Sequence, residues 1–182
     1  MTGQKSAPGE ILSRLATALL LAACIAVLTG IVCAFATKGI TRLGAIFSLG
    51  SGLIAGCLAF LFTRDPNRPA PTAWDILMLS VFGIASFRAF VWLIYAVGNS
   101  WRILSPNNLG DLSLHLHFIR YLAAGAPFWP ESPILSGTPL IYPLGADFFN
   151  SLLSLAGLPV ERGLVWTGLI GALLSAWALW RW

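Results

Sequence analysis

The sequence predicts an all-α membrane protein, with about four transmembrane helices and with amphipathic or interfacial helices in one large outer loop. The first observation behind this is composition. The 182 residues are 57% hydrophobic and only 10% charged, with a mean hydropathy of +0.80, whereas a soluble domain carries roughly 25% charged residues. The second is that several apolar stretches approach the roughly 20 residues needed to cross a hydrocarbon core. The third is a polar, proline-broken run over 107–150, set between apolar segments, which holds both histidines, three of the seven acidic residues and five of the eleven prolines. Hydrocarbon cannot satisfy the backbone of such a run, so it sits in water or against protein.

Residues 1–10 read as an N-terminal tail and 11–97 as a three-span transmembrane region. The first span covers about Ile11 to Thr37. Lys5 and Arg14 precede its apolar run from Leu15 to Ala36, which is longer than a signal-peptide core of about 7–15 residues and so reads as a retained span. Thr37 to Arg42 makes a tight basic turn. The second span, about Leu43 to Phe62, carries Gly52 and Gly56 at the spacing that lets two helix backbones approach. Turn formers fill Thr63 to Pro71. A third span follows from about Trp74 to Val97, flanked by Trp74 and Trp101 as interfacial aromatics.

Residues 98–159 form one large loop. Within it, Leu112–Ala124 reads as an amphipathic helix, with Leu112, Leu116, Ile119 and Leu122 on one side and Asp111, His115 and Arg120 more polar. Ala146–Ala156 is apolar but too short to cross, so it is expected to be an interfacial or re-entrant helix. The fourth span covers 160–182 and ends in Trp177, Trp180 and Trp182. Charge counting leaves the orientation open. With the N-terminus inside, Lys5, Arg14, Arg64, Arg68 and Arg181 oppose Lys38, Arg42, Arg102, Arg120 and Arg162, five against five.

The formal charge of +4 in so apolar a chain points to interfacial anchoring and contact with membrane lipid, not to nucleic acid. Cys24, Cys33 and Cys57 lie in apolar spans without metal-ligand spacing and read as small hydrophobes.

The candidate chemistry lies in the loop. Asp111 opens a helix, where a carboxylate caps orphan N–H groups and can also face a substrate. His115, four residues on, projects from the same face. Together they suit a general base with its partner, or two ligands of a divalent metal ion. A third ligand is not visible, and no metal site is assigned. His117 points elsewhere, to the interface. Arg120 can meet a lipid phosphate or complement the helix dipole. Arg88 lies well inside the third span, where an arginine costs roughly 2.5–3.5 kcal/mol. It either snorkels or pairs with a substrate phosphate or with Asp147. Asp147 itself reads as a helix-start carboxylate. Tyr142, Phe128 and Trp129 have rings that suit stacking on a sugar.

The segments GDLSLHLHFIRYLAAG and FWPESPILSGTPLIYPLGADFFNSLL resemble the first outer loop of polytopic glycosyltransferases of the GT-C class. The likeness is closer to a group of large prokaryotic membrane proteins with a GDxxxHxxxIRxxxxG pattern followed by GxxLxYPxGxD. It covers roughly Gly110 to Arg181. It implies a prokaryotic cytoplasmic membrane with residues 1–10 as a cytoplasmic tail and the loop 98–159 outside, and transfer of a sugar from a polyprenyl-phosphate donor. It also implies Asp111 as the base that activates an acceptor hydroxyl, with His115 as the histidine that follows it and the Tyr142–Asp147 segment as the second half of the pattern. Arg88, Arg102 and Arg120 are the candidate cations for the leaving phosphate. Members of the class have about twice as many spans, so the chain is expected to be truncated, one half of a split enzyme whose second membrane protein supplies further spans, or a relative kept for binding. The competing reading is a non-catalytic membrane subunit that packs with partner membrane proteins. A small transporter is weaker, because no inverted repeat is apparent.

Overall fold

The computed structural model describes residues 8–63, 71–104 and 109–181. Among them the chain forms α1 (Pro8–Thr37), α2 (Arg42–Phe62), α3 (Ala73–Val91), β1 (Ile94–Val97), β2 (Ser100–Ile103), α4 (Leu109–Ala123), α5 (Gly145–Leu155) and α6 (Val160–Arg181). Four of the helices, α1, α2, α3 and α6, are long and apolar enough to cross a membrane. This is the architecture of an all-α integral membrane protein. Most of the tail assigned to 1–10 lies outside the described residues, and α1 already begins at Pro8, whose missing N–H costs nothing in a first helical turn.

α1 and α2 form an antiparallel hairpin. Thr41 caps α2 by accepting from the Gly44 N–H at 3.1 Å. Midway along, a Cβ on Gly52 would lie 2.4 Å from the Ala22 carbonyl oxygen and 2.8 Å from the Ala26 Cβ. One on Gly56 would lie 2.9 Å from both the Ala18 oxygen and the Ala22 Cβ. The small-residue seam is therefore used inside the chain, against α1, and not held for another protein's helix. At the far end the Arg14 guanidinium donates to the carbonyls of Phe60 and Leu61, the last turn of α2, and lies 4.7 Å from the Phe60 ring centroid.

α3 starts with a capping box. Thr72 accepts from the Asp75 N–H at 3.2 Å, and the Asp75 carboxylate accepts from the Thr72 N–H at 2.8 Å. Thr72→Ala is expected to lower stability by about 1 kcal/mol, read as an earlier thermal unfolding midpoint in detergent. The helix stops at Val91, short of the Val97 end expected from hydropathy. Ile94–Val97 instead pairs antiparallel with Ser100–Ile103, through a two-residue turn in which Gly98 has φ 59°. The expected boundary between 97 and 98 thus falls in a hairpin turn, and the change from span to loop comes at Val91. α3 packs on α6, where Gly168 leaves room for the Phe90 ring: a Cβ there would come within 2.3 Å of it.

The packed core sits at one end of the bundle. Ala34, Ile40 and Ala45 from the α1–α2 turn meet Phe118 and Leu122 of α4, Leu140 and Leu144 of the loop, and Phe148 and Leu152 of α5. At this end a Cβ on Gly39 would lie 2.8 Å from the Gly125 oxygen, so the first turn and the long loop share a face. α5, only about 16 Å long, touches α1, α2, α4 and α6. Gly30 of α1 admits Phe148 and Leu152, and Gly163 of α6 admits the Asn150 amide. The short helix expected at 146–156 is thus a wedge that ties together the two helix pairs.

Candidate functional site

α4 and α5 build the site. α4 buries Leu112, Ile119 and Leu122 of the expected apolar stripe together with Phe118, while Leu116 of that stripe and His115 are half-buried. α5 is amphipathic in an unusual way. Beside Phe148 and Leu152 it buries three polar residues, Asp147, Asn150 and Ser151. Each is satisfied, as a buried polar group must be. Ser151 Oγ donates to the Ile119 carbonyl at 3.1 Å and to the Asp147 carbonyl at 2.7 Å. Asn150 Nδ2 donates to the Ala146 carbonyl at 2.9 Å and to Thr167 Oγ1 of α6 at 3.1 Å.

The Asp147 carboxylate faces His115. Its two oxygens lie 2.8 and 3.0 Å from Nδ1, and its side chain is 2% exposed against 34% for the imidazole. Burial pushes the Asp147 carboxyl above the ordinary aspartate range, while the hydrogen bond and charge of His115 pull it back in part. With Nδ1–H donating to the carboxylate, the neutral ring carries its lone pair on Nε2. A carboxylate that fixes the tautomer, with the second ring nitrogen left to react, is an arrangement that can accept and return a proton. The Tyr142 ring lies 6.1 Å from that of His115 and 5.1 Å from that of Phe118, tilted to each.

The pairing differs from the one expected. Asp111 lies in the first turn of α4 instead of at its cap, is exposed, and has no hydrogen bond or ion pair among the described residues. The carboxylate that meets His115 comes from a helix 32 residues away. Asp147 is also not a cap: the cap position of α5 is Leu144, with no side-chain hydrogen bond. Arg88 does not pair with Asp147. Its guanidinium lies 5.2 Å from the Trp92 ring centroid on α3's exposed face. Arg120 Nη2 lies 3.4 Å from the Glu161 carboxylate at the start of α6; at 67% exposed it keeps most of its surface open. Of the aromatic candidates, Phe128 is absorbed among Phe35, Trp129 and Phe148. Trp129 donates its ring N–H to the Leu140 carbonyl at 3.1 Å while its ring stays half exposed. Among the described residues no three His, Cys, Asp or Glu side chains gather in a way that could hold a metal ion.

The sequence signal for this site was the spacing of Asp147, Asn150 and Ser151. Polar residues three and four apart on an otherwise apolar helix share one face, and such a face needs polar partners. The hairpin likewise had a signal in Gly98-Asn99 between short runs rich in branched and aromatic residues. No family model matches the chain, and neither a curated protein nor a solved structure does.

Proposed function

We propose that the chain is a GT-C-like integral membrane glycosyltransferase, or the N-terminal module of one, moving a sugar from a polyprenyl-phosphate donor at the outer face of the membrane. The observation that carries this reading is the contact between His115 and the buried Asp147. In the proposed step His115 Nε2 takes the proton of an acceptor hydroxyl as its oxygen bonds to the anomeric carbon. The bond from that carbon to the phosphate oxygen breaks, and polyprenyl phosphate leaves. Asp147 holds the imidazole and balances the charge it gains. Asp111, one turn before His115 on α4, is left to bind the acceptor or the sugar. Arg120 and Arg102 are the cations assigned to the leaving phosphate, and Arg120 keeps most of its surface open. Tyr142 and the exposed face of Trp129 offer rings for the sugar.

The test is transfer of radiolabelled sugar from a polyprenyl-phosphate donor in membranes containing the chain. His115→Gln is expected to lower transfer by about 10²–10⁴-fold, the usual worth of a positioned base. Unchanged transfer would remove His115 from the reaction. A second reading, a non-catalytic subunit that packs with a partner membrane protein, is favoured by one observation: the protein buries only 6% of the α3 span, against 17–22% of the other three. Under that reading crosslinks placed on Ile84 and Phe87 capture a partner, and His115→Gln leaves any associated transfer unchanged.

A further inference from the structure

On the lipid-facing side of the α1–α2 hairpin, away from the site above, lies an open groove of about 430 Å³. Leu15, Leu19 and Ala22 of α1 and Leu53, Cys57 and Leu61 of α2 line it. The floor of the groove is the seam itself, where Ala18, Ala22 and Gly56 offer nothing larger than a methyl group. From Leu53 to Leu61 it runs about 12 Å, close to the roughly 15 Å depth of one leaflet.

Arg14 stands at one end of this groove. Its guanidinium covers the ring of Phe60, itself part of the lining. Nε and Nη2 donate to the last carbonyls of α2, and among the described residues Nη1 has no partner. α2 is about 30 Å long, the thickness of the hydrocarbon core, so its last turn and Arg14 lie at headgroup depth. A cation fixed there with Nη1 still open, beside an apolar groove, fits an oxyanion carried on an acyl chain.

We propose that this groove binds one anionic phospholipid, with an acyl chain along the seam and the phosphate on Arg14. The two carbonyl bonds hold the guanidinium in place, so it is ordered before the lipid arrives. Zwitterionic lipids share the phosphate, but their ammonium group opposes Arg14 and they bind less tightly.

The test is native mass spectrometry of the full chain in detergent, titrated with dioleoyl-phosphatidylglycerol or dioleoyl-phosphatidylcholine. One tightly retained phosphatidylglycerol is expected, favoured about tenfold over phosphatidylcholine. Arg14→Gln should abolish the preference, and Arg14→Lys should keep part of it. Leu53→Trp fills the groove from an exposed position, leaving Arg14 and the glycine seam untouched, and should lower retention of phosphatidylglycerol about tenfold. It therefore decides the matter if Arg14→Gln fails to fold. Equal retention of both lipids overturns the proposal, as does unchanged retention in Leu53→Trp. Preferred binding of a polyprenyl phosphate over phosphatidylglycerol also overturns it, by assigning the groove to a different lipid.

Discussion

Asp147→Asn should lower sugar transfer by about 10²–10⁴-fold while leaving the protein folded. The amide is close to isosteric and can still meet His115 Nδ1, so the α4–α5 contact survives. It cannot balance an imidazolium, and its NH₂ group can face Nδ1 and reverse the tautomer, placing the proton on the nitrogen that must accept one. The substitution also has a signature in stability. Burial favours the protonated carboxyl in the folded protein, so Asp147 contributes stability that is whole below the ordinary aspartate range. That contribution is lost as pH rises through the raised value, with His115 offsetting part of the loss. In Asp147→Asn this acid-side dependence should vanish. Thermal unfolding in detergent, followed by circular dichroism across that range, measures it. A pH profile identical to that of the unaltered protein would mean that Asp147 does not titrate as described.

The largest effect on stability is expected from Gly52→Val. Its Cβ alone would come within 2.4 Å of the Ala22 carbonyl oxygen, a backbone atom that cannot turn aside. The helices must separate, and the contacts along Ala18, Ala22 and Ala26 go with them. Overpacking of this kind costs about 1–3 kcal/mol, and the upper end is expected, because packing between backbones is what joins helices in lipid. Gly50→Val is the control, since a Cβ there meets nothing within 4 Å. It should unfold with the unaltered protein. Equal loss from both substitutions would point to helix propensity instead of the seam.

These two sites show how far the sequence could be read. The spans were legible because a stretch of apolar residues matched to a bilayer has few alternatives, and the Gly52 and Gly56 spacing announced a close approach without naming α1 as its target. The end of α3 was not legible from hydropathy alone. Ile94 to Val97 is as apolar as the helix before it, so hydropathy runs on where the backbone turns into a hairpin at Gly98. His115 was paired with the wrong carboxylate. Local spacing offered Asp111 four residues away, whereas tertiary packing supplied Asp147 from another helix. Asp111 and Arg88 show the same limit. A helix-start carboxylate and an arginine within a span look unusual in one dimension, and the fold leaves both on its outside.

The wedge formed by α5 has a consequence for biogenesis. Eleven residues are too few to cross a bilayer on their own, so this helix depends on the surface its neighbours present. Ribosomal order supplies that surface, because the first hairpin emerges well ahead of it and the final span follows directly behind. A lesion in the opening hairpin should therefore surface as misplacement of a segment nearly a hundred residues downstream.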